Sequence, residues 1–174
     1  EDCRRQRQMC IRDRFETGAI AEYLCERFSP DRLGRMPGAP DRMAWLVWIH
    51  FAETVSQHCA ALTQQHVALR DDSMRSPIVM KLEAARLMKC YDAIEARLGG
   101  GILSQDYLLM SGFTAADVNV GQAVYMAQHF AKLDNHPNVA AWYARITDRE
   151  AFQLSLPKDV PLFDRTFFDP WPVE

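Results

Sequence analysis

The sequence predicts an all-α bundle running from about Asp41 to Leu156, and three observations carry that prediction. The stretch Phe113 to Ala131, FTAADVNVGQAVYMAQHFA, holds a single formally charged residue, Asp117, and helices that are apolar nearly all round are buried ones. Thr114 followed three residues later by Asp117 is an N-terminal capping box: the threonine oxygen takes the Asp117 backbone N–H, and the carboxylate reaches back to the Thr114 N–H. The segments on either side repeat apolar residues at helical spacing between breaks rich in Pro and Gly. No sheet of consequence is expected.

Composition narrows the class. A chain of 174 residues with 48% apolar content is long enough for one core, with room for one domain or one domain plus a piece of another. Its net charge of −3, with both signs interspersed, offers no basic face for phosphates, so nucleic acid is not an expected partner. A membrane is not expected either. Asp117, Asn119, Gln122, Gln128 and His129 interrupt the most apolar stretch, and a span needs roughly 18 or more residues with few polar groups. The five cysteines are odd in number and show no C-x-x-C, which suggests neither a disulfide framework nor zinc and fits a reducing cytoplasm. No signal segment is visible.

In order along the chain, residues 1–14 (EDCRRQRQMCIRDR) are rich in arginine and lack periodicity. Three readings stand for them: a basic arm, an unfolded tail, or a translated sequencing-adapter remnant, which RRQRQMCIRDR resembles. Residues 15–28 place Ile20, Tyr23, Leu24 and Phe28 on one helical face capped by Thr17. Residues 29–40 lie in SPDRLGRMPGAPD, a linker. From Asp41 to about residue 70, Met43, Leu46, Val47, Phe51, Val55 and Leu62 form a stripe that Trp45 and Trp48 widen. Ser76-Pro77 has the residue types of an N-cap and first helical position, opening a helix that buries Ile78, Leu82, Ala85, Tyr91, Ile94 and Leu98. Gly99 to Gly101 end it. In the central helix, Phe113 and Val118 occupy the positions of a hydrophobic staple. Asn135-His136-Pro137 then restarts the chain, Val139 to Ile146 form a helix on Trp142, Tyr143 and Ile146, and Asp148 caps a last helix through Leu156. The tail, residues 157–174, is expected to lie on the body through Phe163, Phe167, Phe168 and Trp171.

Few residues read as chemical. His50, Thr54 and His58 fall at i, i+4 and i+8 and form a polar row. His50 and His58 stand ~12 Å apart along the axis at 1.5 Å per residue, too far to share one zinc, and threonine is no zinc ligand; no metal is expected. The row is either a solvated or interface face, or the wall of a pocket. No G-x-S-x-G elbow occurs, and Gly99–Gly101 is not followed by the Lys-Ser/Thr of a phosphate loop. Cys59 and His58 cannot pair by adjacency, because helix neighbours point about 100° apart.

The ordered run of YLL, FTAADV, an apolar helix and HPNVAAWYARITDREAF resembles the C-terminal helical domain of glutathione transferases of bacterial type. FETGAIAEYL is similar to the last helix of that family's thioredoxin-like domain. The resemblance implies a glutathione transferase C-terminal-like helical bundle over residues 41–156, with Thr114 and Asp117 as its structural N-cap. It implies that Glu16 and Thr17 hold the γ-glutamyl end of glutathione, the co-substrate. It also implies that His50, Thr54 and His58 line the pocket for a small electrophilic substrate, and that the intact parent is a cytoplasmic homodimer. The family activates the glutathione thiol with a Ser, Tyr or Cys near the start of the thioredoxin-like domain. That part is missing from the resemblance, so the catalytic residue stays unknown and the chain is expected to be a C-terminal fragment. Two alternatives stand beside it: a non-catalytic interaction module of the same fold, and a complete small all-α protein starting at Met9.

Overall fold

A computed structural model describes residues 16–100, 105–156 and 167. Six α-helices follow in order: α1 (Thr17–Phe28), α2 (Arg42–Thr63), α3 (Pro77–Gly99), α4 (Ala115–Ala127), α5 (Pro137–Thr147) and α6 (Glu150–Ser155). A π-turn, Gln64–Ala68, extends α2, and a 3₁₀ turn, Asp72–Met74, precedes α3. No strand occurs among the described residues. The expectations for residues 1–14, and for Phe163, Phe168 and Trp171, lie outside them.

Helix α4 is the centre, packed against α2, α5 and the linker. Ala116, Val120, Val124 and Ala127 are fully buried, and the capping box closes from both sides. The Thr114 N–H donates to Asp117 Oδ2 at 2.9 Å, while the Thr114 hydroxyl also accepts the Ala116 N–H at 3.3 Å. The first helical N–H, on Ala115, donates to the Leu33 carbonyl at 3.0 Å. That carbonyl also accepts the Trp45 indole N–H at 2.9 Å. The linker is thus built into the body. Arg35 fastens it further, donating from Nε to Asp41 at 3.0 Å and from Nη2 to Ser111 at 2.5 Å.

Asp117 does more than cap. Its Oδ1 accepts the Leu108 N–H and the Trp142 indole N–H, each at 2.9 Å, so one carboxylate ties α4, α5 and the preceding loop together. Burial pushes its carboxyl above the ordinary value, and the hydrogen bonds from Leu108, Thr114 and Trp142 act in the opposite direction. Glu95 supplies a similar tie. His136, at the cap position of α5, makes no side-chain cap; Glu95 accepts the backbone N–H groups of Asn138 and Val139 at 3.1 and 2.9 Å instead. Buried helix ends need such partners.

Several details depart from expectation. The buried stripe of α2 is Trp45, Ile49, Ala52, Val55, Cys59 and Leu62, whereas Met43 and Val47 are 75% and 53% exposed. Two apolar stripes were available, and the one holding Trp45 faces inward, where its N–H reaches the Leu33 carbonyl. In α3 the buried face begins with Met80 and Leu87; Ile78 and Leu82 are exposed and only its C-terminal half is phased as expected. The apolar face of α1 is open: Tyr23, Leu24 and Phe28 are exposed, and Gly18 and Cys25 are buried instead. Val118 is half exposed, while Phe113 lies against Tyr107 and under the Arg149 guanidinium, 3.8 Å from its ring centroid. Thr17 does not cap α1, and Asp148 ends α5 while Arg149 precedes α6. Phe167 lies on the body as expected, stacking on Phe130 and donating its N–H to the His129 carbonyl at 2.7 Å.

Candidate functional site

The predicted site residues fall at three stations, two of them along α2. The first is where α1 meets α2. The backbone at Glu16 has φ 72°, the left-handed region a glutamate rarely adopts, and no side chain caps the helix that starts at Thr17. The Thr17 hydroxyl donates to Glu53 Oε1 at 2.6 Å. One turn along, His50 Nε2 pairs with Glu22 at 2.8 Å. A Cβ on Gly18 would lie 2.8 Å from the His50 ring, so a residue with no side chain is what lets α1 approach this closely. Thr17 is therefore brought to the same junction as His50, with Glu16 one residue before it and exposed Thr54 beside Glu53 on α2.

The second station is His58, two turns further on. Its Nδ1 lies 2.7 Å from Glu83 Oε2 on α3, and the other Glu83 oxygen is bonded to Arg86. Burial works against ionisation of Glu83, but the hydrogen bonds from His58 and Arg86 prevail and hold its carboxyl below the ordinary range. The row His50–Thr54–His58 is thus split, with its two histidines tied to different neighbouring helices. Sequence reasoning missed their partners, Glu22 and Glu83, and also Glu53 beside Thr17. These contacts join residues 25 to 36 positions apart, beyond the reach of any local motif.

The third station, Thr114 with Asp117, is fully buried and structural, as described above. Its hydrogen-bonding capacity is used inside the body. Cys25, Cys59 and Cys90 are free and buried; burial raises all three thiols, Cys59 to about 12. A thiol acts as a nucleophile only as its thiolate, so these three are inert near neutrality. Among the described residues no group of three His, Cys, Asp or Glu could hold a metal ion, and no helix is long and apolar enough to cross a membrane. Two open grooves flank the turn at residues 131–134, one lined by Gln128, Tyr143 and Thr147, the other by Ala84, Met88 and Asn135. Neither touches any of the three stations.

Comparison with known proteins gives these stations a context. Residues 60–145 match the model of the glutathione S-transferase C-terminal domain. No curated protein matches the sequence. Among solved structures, the chain superposes on the glutathione transferase URE2P6 from Phanerochaete chrysosporium, in complex with oxidized glutathione, with TM-score 0.71 and 19% identity over 81% of this chain and 64% of that one. Ure2p5 from the same organism, cocrystallized with 1-(S-glutathionyl)-2,4-dinitrobenzene, gives TM-score 0.69 at 17% identity, covering 82% of this chain and 66% of that one. A glutathione transferase from Burkholderia graminis with two glutathione molecules per subunit gives 0.67 at 19% identity, covering 84% and 62%. The likeness is one of fold, and the chain spans less than two thirds of the length of these structures.

Proposed function

We propose that the helical body of this chain, whose residues 60–145 match the glutathione S-transferase C-terminal domain, is the electrophile-binding part of a glutathione transferase, with α1 belonging to the glutathione-binding part. In the whole enzyme, glutathione thiolate attacks a small electrophile. With an aryl halide, the C–S bond forms as the carbon–halogen bond breaks and halide leaves. The observation that carries this reading is the meeting of α1 with α2, where the α1 N-terminus has no side-chain cap, Thr17 donates to Glu53 and Gly18 sits against His50. Free N–H groups and the positive end of a helix dipole suit a ligand carboxylate, and Glu16 suits an ammonium. Backbone held in a rare conformation is often stored at ligand sites. His50, Thr54 and His58 form the wall facing the electrophile.

The thiol is glutathione's own, since the three buried cysteines are too weakly acidic to serve. The enzyme is cytoplasmic, in keeping with free thiols, and works as a homodimer. A second reading, a non-catalytic interaction module of the same fold, is favoured by one contact: the Thr17 hydroxyl is already engaged by Glu53.

Calorimetric titration with glutathione and an aryl-halide conjugation assay on this chain test the proposal. Glu16 and Thr17 contact one end of the tripeptide only, and nothing at that station lowers the pKa of a thiol. The expected result is no turnover and binding far weaker than micromolar. Joined to a thioredoxin-like half, the chain is expected to conjugate, and Thr17→Ala to weaken glutathione binding there. Micromolar binding or turnover by the chain alone contradicts the division of the site; a joined protein with no turnover favours the interaction module.

A further inference from the structure

The two histidines of the α2 row are not equivalent. His50 pairs through Nε2 with Glu22, and its ring edge lies 2.8 Å from where a Cβ on Gly18 would fall. His58 is held at one nitrogen. Its Nδ1 faces Glu83, whose side chain is only 12% exposed and is itself held by Arg86. No hydrogen bond to Nε2 occurs among the described residues, and the His58 side chain is 19% exposed. An ionised carboxylate can only accept, so the proton between them belongs to the imidazole at Nδ1. In the neutral ring the other nitrogen is then a bare lone pair, the reverse of the Nε2–H form that dominates for free histidine in water. A carboxylate behind a histidine is a common way to fix which nitrogen acts.

We propose that Glu83, braced by Arg86, is a positioning residue that holds His58 as its Nδ1–H tautomer, making Nε2 a hydrogen-bond acceptor for electrophiles that carry a donor group such as a hydroxyl. This rests on the reading of His50, Thr54 and His58 as the electrophile wall. The ligand class follows from the lone pair: an aromatic with an O–H or N–H binds better than the same ring with that hydrogen replaced by methyl.

Histidine side-chain ¹⁵N NMR on the purified chain tests both parts near neutral pH, where free imidazole is largely uncharged. Nδ1 of His58 is expected to show a protonated-nitrogen shift and Nε2 a bare-nitrogen shift. Glu83→Gln, which keeps an acceptor, should preserve that pattern, and Glu83→Ala should return His58 mainly to the Nε2–H form. Millimolar phenol should move the Nε2 resonance more than anisole does. An Nε2–H tautomer or protonation of both His58 nitrogens in the unaltered chain, or an unchanged tautomer in folded Glu83→Ala, overturns the positioning role. If the tautomer is as stated and neither probe moves Nε2, the ligand class falls together with the pocket-wall reading. If both probes move it equally, the ligand class alone falls.

Discussion

The starts of α4 and α1 can be compared group by group. At α4 the first three backbone N–H groups find partners inside the protein: the Leu33 carbonyl, the Thr114 hydroxyl and the Thr114 carbonyl. Asp117 closes the box and reaches Leu108 and Trp142. At α1 no side chain caps the helix, its buried residues are Gly18 and Cys25, and Tyr23, Leu24 and Phe28 are exposed. It is held by Cys25 and Ala21 packed on the core and by Thr17–Glu53 and His50–Glu22, polar contacts at the surface. The difference is one between a region that completes itself and one that leaves groups open. Buried polar groups with every partner in place specify a unique core, while exposed pairs contribute little.

The largest expected effect breaks the α4 side of the contrast. Asp117→Ala leaves the Leu108, Thr114 and Trp142 donors unpaired in a fully buried place, and each such group costs about 1–3 kcal/mol. A loss of about 3 kcal/mol or more in denaturant unfolding is expected, and an unchanged midpoint would remove Asp117 from its role. Gly34→Ala comes next. A Cβ there would sit 2.9 Å from the Cys25 Cβ and 3.1 Å from the Pro30 carbonyl oxygen; overpacking of this kind costs about 1–3 kcal/mol, again read from the midpoint. Thr114→Ala should cost about 1 kcal/mol, the usual loss of an N-cap. Combined with Asp117→Ala it should cost less than the sum, because the two residues form one reciprocal pair.

The smallest effect lies at the junction of α2 and α3. Glu83→Gln removes a carboxylate held below its ordinary range. A depressed acid stabilises the fold above its unfolded value and loses that contribution as pH falls through its folded value. The variant should therefore be less stable than the parent by about 1 kcal/mol or less at neutral pH. The two should converge in acid below the ordinary carboxylate range, as followed by thermal unfolding across pH.

How much was legible in the sequence follows the same contrast. Thr114 and Asp117 were readable because a capping box is a local contract between residues three apart. The second set of Asp117 partners was not, since Trp142 lies 25 residues on. Ser76-Pro77 opened α3 as read, with the serine oxygen accepting the Val79 N–H. Helix phase was legible only where a single apolar stripe existed. On α2 two stripes competed, and the choice between Met43–Val47 and Trp45–Ile49 was made by the linker carbonyl that Trp45 reaches. The apolar residues of α1 were legible as one helical face, but periodicity does not say what covers such a face, and in the structure Tyr23, Leu24 and Phe28 are exposed.

Amide hydrogen exchange on the native chain measures that contrast directly, because it reports the opening free energy of each helix separately. The backbone amides of Val120 to Ala127 in α4 should exchange only through global unfolding, while those of Ile20 to Phe28 in α1 should open locally at a far lower free energy and respond to Glu53→Gln. Equal protection of the two helices, with no change at α1 in the Glu53 variant, would contradict the division between a self-completed body and a lightly held α1.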